Sequence, residues 1–389
     1  GIAMQAAEGL GEAHRNGIIH RDIKSQNIII SKEGRIKIGD FGIAKRVSTD
    51  SSGQPVIGSA HYMAPEQALS GEADARSDLY SLGISMYEMI TGRLPYQGED
   101  AGNVIMAHMQ DAMVPPVVYN SGIYITQFKN NSQTQMMGYG IITRNKKLIM
   151  VDGGTSADTE NVVYFINRHG GKVDYWFVTH PHIDHASVIC DVIENTDIKI
   201  NKVYYTMNDV AWYKKFAASR SAEAERFYNA INNKRIKSKT HNVKLFEEFY
   251  IDNIKIEILG IKNPEITENA FNNSSMVFKM NFNNKSMLFL GDTGSQSSDK
   301  LIKNSKSKLK SYAVQMSHHG QSGATKALYE IIAPKLCFWP TPDWLWDNDS
   351  GGGFNSGEWK TVETRGWMEE LGVKQNIVEK DGNQTVHIW

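Results

Sequence analysis

Along the 389 residues, apolar positions fall into short β-rich runs and longer helical stripes. Tyr139 to Asp152 reads as two strands around Arg144-Asn145-Lys146, ending in LIMVDGGT. Val243 to Ile261 predicts two strands across Asp252-Asn253. Ser274 to Leu290 predicts two more across Asn283-Asn284, alternating apolar and polar residues. Asp174 to Thr179, Lys202 to Thr206 and Ala313 to Met316 are further strands. Helical spacing runs through Ala3 to Asn16, stopped by Gly17, and through Leu79 to Ile90, Asn103 to Met109, Glu160 to Asn167 and Ala186 to Ile193. Ala211 to Arg235 predicts one long helix, with Trp212, Phe216, Phe227 and Ile231 as a packing stripe.

Composition divides this pattern in two. Asn is scarce before Pro116 and frequent after it, while Ala thins out. Val114-Pro115-Pro116 leads straight into strand-like sequence with no Gly/Ser linker, so 1–116 and 117–389 are read as separate domains. The formal net charge of −1 leaves no global footprint for nucleic acid or an anionic membrane. No run of ~18 apolar residues predicts a membrane span. Gly1 and the absence of a signal-peptide pattern predict a fragment or processed product, cytoplasmic as given. Cys190 and Cys337 sit in apolar runs and read as buried, inert thiols of a reduced compartment.

Candidate chemistry is densest at VTHPHIDH, where His180, His182, Asp184 and His185 fall within six positions. A strand ending in a loop presents alternating side chains to one side, so His180 and His182 can reach one cation. The loop then turns Asp184 and His185 toward a second position. Imidazole with carboxylate suits zinc, with manganese or iron as alternatives.

HPHIDH matches the HxHxDH signature of the metallo-β-lactamase-fold hydrolases, and Val117 to Trp389 resembles that superfamily throughout. The resemblance implies an α/β fold, the αββα four-layer sandwich. It also implies that Asp152 lies beneath the site and orients ligands, and that Asp292, at the end of LFLGD, bridges two metals. His180, His182 and Asp292 would hold the first. Asp184, His185, Asp292 and His318 would hold the second, with His319 close by as a ligand or substrate contact, or the two histidines in the reverse order. Two zinc ions would then bring a water's pKa to ~7, with Asp184 orienting it.

NNSSMVFKM, LFLGD and SHHG together look like the hydrolase domain of competence-type DNA-uptake proteins and like teichoic-acid phosphorylcholine esterases. Both imply a small or polymeric phosphodiester substrate, nucleic acid included. A lactonase or amide hydrolase on the same site is the alternative. His241 is the one histidine between the metal motifs, and its polar surroundings predict no strand-end geometry for a ligand. Lactam-cleaving and glyoxalase-type relatives normally carry a histidine in that interval. The basic cluster Lys234, Arg235, Lys237 and Lys239 reads as a solvated run, or as a patch that could receive a phosphate backbone. Trp344 and Trp346 could overhang the pocket as a stacking wall, pack into the core, or form a dimer contact.

The first segment carries HRDIKSQN, DFG and APE in order, which resembles the protein-kinase signature set, most closely in bacterial serine/threonine kinases. By that resemblance Asp22 would accept the substrate hydroxyl proton, Lys24 would steady the phosphate, and Asn27 and Asp40 would hold magnesium. Ser48, Thr49, Ser51 and Ser52 are activation-loop phosphosite candidates. The 389 residues contain no glycine-rich loop, strand lysine or partner glutamate helix. The segment is therefore expected to be an idle, mainly α-helical C-lobe fragment, either a docking module or a joining of unrelated reading frames.

Overall fold

A computed structural model describes residues 2–31, 34–41, 60–91, 94–96, 98, 100–111, 113, 123–130 and 134–388. Two compact units divide the chain: the first 120 residues with 167–169, and the remainder. The four phosphosite candidates and the Pro116–Val117 junction lie outside the described residues. No helix among the described residues is long and apolar enough to cross a membrane.

In the first unit, helix Ile2–Arg15 buries Ala6 and Leu10 against Ile23, Ile28 and Leu82. A hairpin of β1 (Ile28–Ile30) and β2 (Ile36–Ile38) follows, then helices Pro65–Ser70, Ala75–Thr91 and Ala101–Gln110. Asp78, 1% exposed, collects the backbone N–H groups of His20 and Arg21, each at 2.8 Å. That carboxylate fixes the loop carrying Asp22.

The second unit continues with β3 (Ile123–Gln127), β4 (Gly138–Ile142), β5 (Leu148–Asp152), β6 (Lys172–Val173), β7 (Tyr175–Val178), β8 (Lys199–Ile200), β9 (Val203–Tyr205) and β10 (Thr240–Asn242). Then come β11 (Glu248–Ile251), β12 (Ile254–Gly260), β13 (Val277–Phe282), β14 (Lys285–Phe289), β15 (Ala313–Gln315), β16 (Leu336–Trp339), β17 (Gln375–Val378) and β18 (Gln384–Ile388). They form two seven-stranded sheets, ordered β10-β9-β7-β5-β4-β3-β18 and β11-β12-β13-β14-β15-β16-β17, besides the short pair β6-β8. Each sheet is antiparallel at one end and parallel at the other: β5, β7, β9 and β10 in the first, β14 to β17 in the second.

The turns follow the sequence. Lys146, Asp252 and Asn283 adopt φ of 64°, 53° and 52°, and the two Asx residues suit that left-handed region. Along β12, Ile254, Ile256 and Ile258 point inward, as period-2 alternation requires. Phe177 stacks on Phe278 at 4.7 Å, and Phe278 on Phe289 at 4.8 Å, so the sheets pack face to face. Outside the second sheet, Leu301, Leu328 and Met368 of three helices cover Leu288, Val314 and Cys337. Outside the first lie helices Thr159–Arg168 and Ile183–Asn195. The architecture is the expected αββα sandwich.

One predicted element differs. Ala211 to Arg235 is two helices, Val210–Phe216 and Ser221–Ile231, separated where Ala217 leaves helical geometry (φ −147°, ψ 50°). Aromatic packing decides this against propensity: Trp212 meets Phe216, Tyr213 meets Phe271, and Phe227 meets Tyr205.

Helix Ile183–Asn195 reaches β5 because Gly153 has no Cβ; one added there would lie 2.8 Å from Val188 Cβ. Gly153→Ala should push that helix outward and cost about 1–3 kcal/mol. Urea unfolding of both proteins measures it, and an unchanged midpoint would contradict the packing.

Candidate metal centre

The site forms where parallel strands of both sheets end. In parallel α/β sheets the carboxyl ends of strands are where loops carry ligand-binding groups. β5 ends in Asp152, β7 runs into Thr179-His180, β14 leads to Asp292, and β15 leads to Ser317-His318-His319. Helix Ile183–Asn195 starts directly after His182 and carries Asp184 and His185 in its first turn.

Two groups of ligand atoms result, each with its members within 4.8 Å of one another: His180, His182 and Asp292, and Asp184, His185, Asp292 and His319. Asp292 belongs to both. His180 and His185 are wholly buried, and Asp292 is 1% exposed. Nε2 of His185 and Oδ1 of Asp292 face each other at 3.3 Å without hydrogen-bond alignment, and neither makes a hydrogen bond among the described residues. Two orphaned lone-pair atoms in a dry space are costly unless something positive lies between them. The donor set therefore fits cations, and a shared carboxylate suits a pair of them.

A second shell fixes the imidazoles. Asp152 accepts from Thr179 N and Thr179 Oγ1, each at 2.7 Å, and from His185 Nδ1 at 2.8 Å. His319 Nδ1 donates to the Pro340 carbonyl at 2.8 Å, so its Nε2 turns to the site, 3.0 Å from Asp184 Oδ2. Ser275 Oγ accepts the Asp292 N–H at 3.0 Å. Gln315 Oε1 takes the N–H groups of Leu290 and Gly291, both at 2.8 Å, and braces the turn carrying Asp292. Such partners set tautomer and ring direction at metal sites.

Electrostatics agree with the donor assignment. Burial pushes His182 down to about 3, and burial with the neighbouring His185 holds His180 well below its ordinary value, so both offer lone pairs. Burial opposes charge on His185 too, but Asp292, Asp152 and Asp184 hold its pKa well above the usual range. A proton and a cation compete for that position.

Of the two orders left open in Ser317-His318-His319, the geometry brings His319 rather than His318 to the other ligand atoms. Both histidines adopt left-handed backbone, φ 50° and 56°. The chain has left the strand, so counting alternate positions from β15 no longer tells which ring faces in. His319 joins the cluster. His318 lies on the cleft wall, with Nδ1 donating to the Ser322 carbonyl at 3.2 Å and Nε2 accepting from Asn272 Nδ2 at 3.1 Å.

His241, expected off any strand end, lies on edge strand β10 and bonds Glu247 at 2.7 Å, apart from both ligand groups. Trp346 packs on Trp339 at 5.2 Å and under Arg365 at 4.2 Å, and Trp344 packs edge-on to Trp359. Neither lines the cleft over the ligands, so the stacking wall is replaced by packing. That cleft, about 550 Å³, is lined instead by Thr134, Gln135, Phe216, Arg220, Phe271 and Asn272 among others. Phe271 lies flat on His182 at 4.5 Å. Sequence reading missed Asn272, Phe271, Ser275, Gln315 and Arg220; only NNSSM carried a signal, and it named no roles.

In the first unit Lys24 Nζ lies 2.7 Å from Asp22 Oδ2, and Asn27 Nδ2 donates to the Asp22 carbonyl at 2.8 Å. Gly39 donates to the Asn27 carbonyl at 2.8 Å, which places Asp40 on the adjoining segment.

Residues 139–335 match the family described as the metallo-beta-lactamase superfamily, and residues 1–162 the one described as the protein kinase domain. The second match runs past the first unit onto β3–β5. Over 124 residues the chain is 48% identical to a probable serine/threonine-protein kinase of Clostridium perfringens, covering 31% of this chain and 18% of that protein. It is 46% identical over 111 residues to serine/threonine-protein kinase PrkC of Bacillus subtilis, covering 28% and 17%. With serine/threonine-protein kinase PknB of Mycobacterium tuberculosis identity is 40% over 126 residues, covering 31% and 20%. The chain spans about a fifth of the length of these curated relatives.

Two predictions follow from the shell around the ligands. Asp152→Asn removes the acceptor that holds the His185 tautomer and should weaken metal binding ~10–100-fold, read by competition with a chelator dye. Glu379, 1% exposed, accepts the Asn130 N–H at 2.9 Å through Oε1, and its Oε2 makes no hydrogen bond among the described residues. Burial pushes its pKa up from 4.5 to about 8, against the pull of His319. The fold thus keeps a proton that the unfolded chain releases, so stability is lost as pH rises from about 4.5 to about 8. Glu379→Gln should remove that loss, on the order of a few kcal/mol. Its melting-temperature gain over the parent should be larger at alkaline than at mildly acid pH; an equal gain at both would refute the assignment.

Proposed function

This chain belongs to the metallo-beta-lactamase superfamily, and on that premise we propose that its His/Asp centre holds two zinc ions and hydrolyses a phosphodiester. The observation that carries the reading is the facing pair of orphaned atoms, His185 Nε2 and Asp292 Oδ1. His180, His182 and Asp292 would hold one ion, and Asp184, His185, Asp292 and His319 the other. When bound, such ions supply Lewis acidity, which acidifies a water toward neutral pH and offsets charge on phosphoryl oxygens.

The chain's own residues do the rest. Asp184 orients the attacking water and takes its proton. The water oxygen bonds to phosphorus while one ester P–O bond breaks, and the leaving oxygen departs with the bonding pair and is protonated from solvent. Asp152 and the Pro340 carbonyl keep the imidazole lone pairs aimed inward. Asn272 and His318 line the cleft, ready to meet substrate oxygens.

Two features support a phosphodiester over a lactam. His241 is engaged by Glu247 on an edge strand, away from the ligands. The run NNSSM–LFLGD–SHHG is also similar to hydrolases of DNA-uptake and teichoic-acid type. This reading assigns chemistry to the second unit alone; the first is similar to serine/threonine kinases over the residues that carry Asp22, Lys24, Asn27 and Asp40.

Chelation, or Asp184→Asn, is expected to lower turnover of bis-p-nitrophenyl phosphate by at least ~10²-fold. Elemental analysis should give two zinc ions per chain. Undiminished turnover after either treatment refutes the centre. Preferred turnover of a lactone moves the reading to the lactonase alternative, and ATP-dependent labelling of a protein substrate restores the kinase-related unit to activity.

A further inference from the structure

Among the described residues lining the cleft, Arg220 is the one arginine or lysine. It is there because the expected long helix breaks. Helix Val210–Phe216 ends, residues 218–220 form one tight turn, and Arg220 immediately precedes helix Ser221–Ile231. Glu223 falls in that helix's first turn, where the dipole favours a carboxylate.

Glu223 works in two directions. Its Oε2 accepts the N–H of Ile183 at 3.0 Å, the first residue of the helix that carries Asp184 and His185. Its Oε1 lies 3.8 Å from Arg220 Nε. One carboxylate thus ties the ligand-bearing loop to the guanidinium. The two terminal nitrogens of Arg220 have no hydrogen-bond partner among the described residues. A guanidinium with its fork free is shaped for two oxygens of one anion.

The rest of the lining sharpens the point. Thr134, Gln135, Thr155, Asn269 and Asn272 are neutral, and the only carboxylates among the described lining residues, Asp184 and Asp292, belong to the metal centre. Arg220 then brings positive charge to the mouth, paired with Glu223 only through Nε at 3.8 Å. It is close enough to the ligands for its field to act on His182.

We propose that Arg220 determines substrate charge: its free fork binds the non-bridging oxygens of a monoanionic phosphodiester, and Glu223 holds it in register with the metal loop. The inference rests on the hydrolase reading above and adds the residue that selects an anion over a neutral ester.

The test uses the full zinc-loaded chain and two measurements. The first is the ratio of kcat/KM for bis-p-nitrophenyl phosphate, an anion, to that for diethyl p-nitrophenyl phosphate, which is neutral. Arg220→Gln should lower this ratio roughly 10–100-fold, the value of a charge-assisted hydrogen bond, and Arg220→Lys should recover part of it. Glu223→Gln keeps the acceptor for Ile183 but removes the charge facing Arg220, and should lower the ratio less. The second measurement is calorimetric binding of dimethyl phosphate, which reports the anion site without turnover. Arg220→Gln should weaken it at least ~10-fold, with metal content and melting temperature unchanged. An unchanged ratio together with unchanged dimethyl phosphate binding overturns the proposal. Weakened binding in a protein that hydrolyses neither ester overturns the hydrolase reading and leaves the anion site standing.

Discussion

The Asp152 carboxylate is the contact on which the second unit depends. It is wholly buried, and burial pushes its pKa up against the pull of His185 and Thr179. It accepts two bonds from Thr179 and one from His185. These bonds join the end of β5 to the end of β7 and to the first turn of the next helix. The imidazole of His185 is thereby held against Asp292, which arrives from the other sheet. A buried charge with three charge-assisted or polar partners is stable only while all of them stay in place, so the same bonds that aim the ligands also lock the strand ends.

The first unit uses the same device for a different loop. Asp78, in helix Ala75–Thr91, takes the N–H groups of His20 and Arg21, while His14 Nε2 lies 2.8 Å from Oδ2. Arg21 is held at φ 67°, a left-handed backbone that arginine rarely adopts. In both units a buried aspartate supplies acceptors to a loop that has left regular structure. The loop's geometry is set from below.

Much of this could be read from residue order, and the failures have a common cause. HPHIDH, LFLGD and the Asx turns are local: spacing and left-handed tolerance fix them within a few residues. The two-sheet core followed from period-2 runs such as Ile254, Ile256 and Ile258. The choice between His318 and His319 was not local, because two consecutive left-handed residues precede Gly320, whose φ is 79°. A Cβ on Gly320 would lie 2.5 Å from the Trp339 ring, so a strand distant in sequence shapes that turn. The break at Ala217 has no glycine or proline to announce it. Trp344 and Trp346 looked like a pocket wall because tryptophan suits both packing and stacking, and only Trp339, Trp359 and Arg365 decide between them.

The strand that closes the first sheet has a further meaning. β18 pairs antiparallel with β3, placing Ile388 opposite Ile123. The first and last strands of the hydrolase unit therefore enter and leave side by side, at the edge of the sheet farthest from β10. The loops of the candidate metal centre hang from strand ends in the interior of both sheets, clear of that edge. Fraying that starts at β18 must pass β3 and β4 before it reaches β5, so from that side Asp152 and the loops it braces are the last to lose their strands.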